Sequence, residues 1–164
     1  LKVAAVYLAG ILFAVRLSAL RAQGLTPVIM LLFAAAGLGA LSLFGASALL
    51  TTLGFVLMAS LGGFALWNWP KYRYPVGAGI ILSAISILML LANQALLLTE
   101  TSAVALLLLL PLMLADHLCR PLRIRWQLGD ATHAVLLTLC CLGLTAIAIT
   151  AAYVVAPLST DMGY

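Results

Sequence analysis

The sequence predicts an all-α fold, a single polytopic bundle of about six transmembrane helices over residues 1–164. Three observations lead there. The chain is 66% hydrophobic and 7% charged, whereas soluble domains carry roughly a quarter charged residues. Its charge-free stretches cover residues 3–15, 22–70, 74–99, 101–115 and 131–160, and most match or exceed the length of a membrane helix. Its basic residues then gather in alternate connections. A soluble fold of this size has no way to hide so much apolar surface, because a small domain leaves much of its surface in water. In a bilayer, lipid solvates the outer face.

The first span is expected over 2–20. Its uninterrupted apolar stretch is short, 13 residues over 3–15, and Arg16 must reach the interface along its own methylenes. Lys2 and that short run also fit the apolar region of a signal peptide. Cleavage would leave Arg21 on the outer side, against the charge pattern, so a retained helix is expected. The chain as given begins with Leu1.

The run 22–70 holds 49 residues. As one helix it would be about 70 Å long, more than twice a hydrocarbon core of about 30 Å. It must therefore fold back, and Phe44-Gly45-Ala46-Ser47 is the best turn, since Gly and Ser tolerate the backbone required. Spans are expected over 26–43 and 47–68, with Pro27 in the first turn of the former, where a missing N–H costs little. A fourth span is expected over 75–97, opened by Pro75. A fifth is expected over 102–118, with Ser102 as its N-cap and a kink at Pro111. The sixth is expected over 131–155.

The charges orient this arrangement. Arg16 and Arg21 fall in the first connection, Lys71 and Arg73 in the third, and Arg120, Arg123 and Arg125 in the fifth, so seven of the eight basic residues share one face. The positive-inside rule makes that face cytoplasmic and puts both termini outside, with a bacterial inner membrane as the expected location. Trp67, Trp69, Tyr72 and Tyr74 cluster beside Lys71 and Arg73, the pattern of an interfacial aromatic belt. The net charge of +4 therefore reports orientation and contact with anionic lipid headgroups, and no nucleic-acid partner is expected.

Small residues four apart let helices approach closely in lipid. Ala36 with Ala40, Ala59 with Gly63, Gly79 with Ser83, and Ala148 with Ala152 are the pairs available. Asn93 and Gln94 are the most polar uncharged residues inside a span. They suit an interhelical hydrogen bond, or the lining of a solute path. Cys119, Cys140 and Cys141 include no CxxC and are expected to be reduced, behaving as small hydrophobes.

Chemistry, if there is any, is confined to the connection before the last span. Asp116, His117, Asp130 and His133 lie there with Arg120, Arg123 and Arg125, within 18 residues. Asp130 suits a helix N-terminus, and Asp116 can pair with Arg120 four residues on. Asp116, His117 and His133 are metal-ligand types, but their spacing matches no standard site. The three arginines, with Lys71 and Arg73, suit anionic headgroups or phosphate. No nucleotide, zinc-protease or nucleophile-elbow motif occurs, and no acid or base falls near the middle of a span, which disfavours a proton path. No cofactor or metal is expected. The function expected is that of a non-enzymatic membrane protein, a subunit or scaffold module of a larger assembly with other membrane subunits or its own copies as partners. The alternatives are a small transporter or channel for a neutral or lipid-like solute, and an enzyme acting on a lipid-linked phosphate at the cytoplasmic face.

Overall fold

The computed structural model describes residues 2–20, 24–44, 47–69, 74–98, 112, 115 and 130–160. The described residues form five α-helices and no strand: α1 Lys2–Ala19, α2 Thr26–Phe44, α3 Ala48–Trp67, α4 Ala78–Leu98 and α5 Asp130–Thr160. Four windows are long and apolar enough to cross a membrane, Thr26–Leu43, Ala48–Trp67, Ala78–Leu97 and Thr132–Ala151. In α1 the apolar portion is the shorter Gly10–Ala19. The expected span 102–118 lies outside the described residues, apart from Leu112 and Ala115, which are buried in the common core.

The long charge-free run is divided as its length requires. Between α1 and α2, Gly24 adopts φ 66°, a left-handed backbone that glycine enters without steric cost. Pro27 follows in the first turn of α2, and Ile29 N donates to Leu25 O at 3.0 Å. At the far end, Ser47 caps α3 with extended backbone, φ −109° and ψ 94°. Its Oγ accepts from Leu50 N at 3.4 Å, and its carbonyl accepts from Thr51 N at 3.1 Å. The first of these occupies a donor that a helix start leaves unpaired, and the second is the first bond of the helix ladder. Helix α4 begins at Ala78, three residues after Pro75, and its ladder opens with Ile81 N donating to Gly77 O at 3.4 Å.

Helix α2 is the centre of the bundle. It packs against α3, α4 and α5, while α1 packs on α4. Of its membrane window 78% is buried, against 22% for α3 and 22% for α5. A helix that is apolar on every side can be surrounded, and between Pro27 and Phe44 only Ser42 is polar. Ser42 answers its own need, its Oγ donating to Leu38 O at 2.8 Å.

The tightest contact joins the two arms of the α2–α3 hairpin. A Cβ on Gly54 would lie 2.7 Å from Gly39 Cα, 3.0 Å from Gly39 N and 3.3 Å from Ala35 O. The two backbones therefore touch directly. The seam on α2 is Ala35 and Gly39, one residue round from the Ala36 and Ala40 pair expected from spacing. Gly63 and Gly79 face open space, and Ala59 and Ser83 are exposed, so two other expected pairs point away from the bundle. Ala148 is buried, at 1% exposure.

Helices α1 and α4 run antiparallel. Gly10 sits against the Met89 side chain, and Tyr7 meets Asn93, so residue numbers rise on one helix as they fall on the other. The end of α1 that carries Arg16 therefore lies at the α3–α4 connection.

Gly54→Ala is expected to force the hairpin arms apart and to destabilise the folded protein by about 1–3 kcal/mol, the usual cost of overpacking. Gly63→Ala, which meets nothing, should be neutral or stabilising by up to about 1 kcal/mol through helix propensity. Thermal unfolding of both variants in one detergent measures the difference. Equal midpoints would remove the seam.

Candidate functional site: polar groups inside the bundle

Inside an apolar bundle every polar group needs a partner, because lipid offers none. Several serine and threonine hydroxyls solve this within their own helices. Ser42, Thr51, Ser86, Thr138 and Thr145 each donate to the carbonyl four residues earlier, at 2.7–2.9 Å. Back-bonding of this kind consumes the hydroxyl proton locally, leaving those side chains without a donor for a passing solute.

Asn68 acts across a connection instead. It follows the last turn of α3 and is fully buried, at 0% exposure. Its Nδ2 donates to Phe64 O at 3.3 Å, and its Oδ1 accepts from Tyr74 N at 2.8 Å. The side chain thus ties the end of α3 to Tyr74, on the far side of the connection. Around it Trp67, Trp69 and Tyr74 are exposed, as an interfacial belt requires. Sequence reasoning found those aromatics and missed Asn68. The available signal was an amide directly after an apolar helix, facing a Tyr-Pro whose own N–H lies outside any ladder.

Asn93 joins two helices. Its Nδ2 donates to the Tyr7 hydroxyl at 2.7 Å, linking α4 to α1. Its Oδ1 is buried and has no hydrogen-bond partner. Gln94 is half-buried beside it.

Of the remaining expected site residues, two lie among the described ones. Asp130 opens α5, and His133 is buried one turn later. Asp116, His117, Arg120, Arg123, Arg125, Lys71 and Arg73 lie outside the described residues. Among the described residues, no group of three or more His, Cys, Asp or Glu side chains could hold a metal ion. Cys140 and Cys141 are free thiols, half-buried and buried; Cys119 lies outside the described residues.

No family model matches the chain, and comparisons with curated proteins and with solved structures also return no match.

Asn68→Leu should cost about 0.5–1.5 kcal/mol, the net contribution of an intramolecular hydrogen bond. It should also red-shift and broaden tryptophan emission as the belt loosens; an unchanged spectrum and midpoint would show that Asn68 holds nothing. For the second contact, a double-mutant cycle on Tyr7→Phe and Asn93→Leu should return a coupling of about 0.6–1.7 kcal/mol, the range of side-chain hydrogen bonds in lipid. Additive effects would mean that the bond does not form.

Proposed function

We propose that the chain is a six-span integral membrane protein, with both termini outside, that works as a non-enzymatic subunit or scaffold of a larger membrane assembly. One observation carries this reading. Helices α3 and α5 bury only 22% of their membrane windows and turn large apolar side chains outward, among them Leu53, Phe55 and Val56 on α3 and Leu139, Leu142 and Ile147 on α5. A thin bundle around one sequestered helix has most of its surface available to lipid and to the helices of other proteins. The self-satisfied hydroxyls support the same reading, since a polar solute would find few free donors along them.

The orientation rests on charge. Arg16 and the α3–α4 connection share one end of the bundle, and that end is basic in sequence. The positive-inside rule assigns it to the cytoplasm, and a bacterial inner membrane is the matching location. The expected span 102–118 supplies the sixth crossing. The burial of Leu112 and Ala115 supports its packing against the rest.

Two measurements test the proposal. A C-terminal alkaline phosphatase fusion should be active and the corresponding green fluorescent protein fusion dark; the reverse result would invert the orientation or change the span count. Cross-linking in native membranes should give heteromeric species that persist in mild detergent. A single monomeric species would overturn the subunit reading.

A further inference from the structure

We propose that Met89 is an oxidation site, and that its sulfoxide loosens α1 from α4. The oxidant is an organic hydroperoxide. The proposal needs no partner subunit and stands apart from the scaffold reading.

The place of the sulfur is the first observation. Gly10 is buried on α1. A Cβ there would overlap Met89 Sδ, and would lie 2.9 Å from Met89 Cε and 3.0 Å from Met89 Cγ. The thioether therefore occupies the space that a side chain at residue 10 would fill. Methionine suits such a gap, being unbranched and polarisable. Among the described residues, α4 is the helix on which α1 packs most extensively, so this contact bears on how α1 is held. Access is the second observation. Met89 is half-buried against the core, whereas Met30 is enclosed, at 0% exposure. Part of the Met89 side chain is open to the surroundings of the bundle.

In the reaction the thioether sulfur attacks the terminal peroxide oxygen. An S–O bond forms, the O–O bond breaks, and the rest of the hydroperoxide leaves with the proton as an alcohol. Sulfur is oxidised and the peroxide is reduced. The product is a polar side chain, larger by an oxygen. The space beside Gly10 is already filled. Either the new oxygen displaces α1, or the side chain turns and withdraws the sulfur from the gap. Both outcomes lose the contact. The oxygen is also a new acceptor in an apolar setting, where it requires a donor. Asn93 lies four residues on, on the same face of α4, and its Nδ2 donates to the Tyr7 hydroxyl at 2.7 Å. The sulfoxide competes with Tyr7 for that amide, so the second contact between the two helices weakens with the first.

The experiment treats the full chain, in phosphatidylcholine nanodiscs, with tert-butyl hydroperoxide. Mass spectrometry locates the sulfoxide at each methionine, and amide hydrogen exchange reads the opening of α1. Conversion at Met89 should speed exchange across α1 about 2–10-fold, the ratio set by losing one close contact. Met89→Leu keeps a side chain of similar volume without the sulfur and should remove the response. Met58→Leu should leave it, since Met58 is also half-buried but lies on α3. The cysteines are common to all three chains, so their oxidation cancels in the comparison. Unchanged exchange in α1 after Met89 is converted, a full response in Met89→Leu, or oxidation of Met58 with none of Met89 would each overturn the proposal. None of these results bears on the scaffold reading, which cross-linking in native membranes decides.

Discussion

The fold depends on how closely α2 and α3 approach at Gly39 and Gly54. In water, helices associate because apolar side chains leave the solvent. In lipid that force is absent, and dispersion between well-fitted surfaces must replace it. Direct contact of two backbones gives the densest fit available. Here a single methyl on Gly54 would fall within 2.7 Å of Gly39 Cα, so the fit has no slack. The short turn capped by Ser47 brings the two arms together, and the glycine seam sets how near they come.

The other helices take their places from that pair. With α3 seated on one side, α2 meets α4 and α5 on its others, and its core residues Val28, Met30 and Leu31 reach 0% exposure. Asn68 ties the end of α3 to Tyr74 ahead of α4, and α4 in turn carries α1. Polar side chains perform two kinds of work in this hierarchy. The back-bonded serine and threonine hydroxyls repair their own helices. The amides of Asn68 and Asn93 act between elements, one across a connection and one across a helix pair.

Much of the fold was legible in the sequence. The helical membrane class follows from composition, because no soluble packing accommodates a chain with 7% charged residues. The division of 22–70 follows from length against bilayer thickness, and the turn before Ser47 from the backbone that Gly and Ser tolerate; that Ser47 also caps α3 came from the structure. The candidate site was less legible. Asn93 stood out as polar within an apolar run, but its partner Tyr7 lies 86 residues away, and no local pattern joins them. Asn68 was overlooked because it sits among aromatics that already explained the segment.

By itself, then, the sequence determined what is additive along the chain: apolarity, helix length, breaks and the alternation of charge. Tertiary structure alone decided which faces meet. The four membrane windows are nearly equally apolar, yet 78% of one and 22% of two others are buried. Small residues four apart recur on almost every face of so Ala- and Gly-rich a chain, and spacing favoured Ala36 with Ala40 as readily as Ala35 with Gly39. One residue is a rotation of about 100° around a helix with 3.6 residues per turn. Only the neighbour on the other side of the contact selects between such faces, and that neighbour comes from elsewhere in the chain.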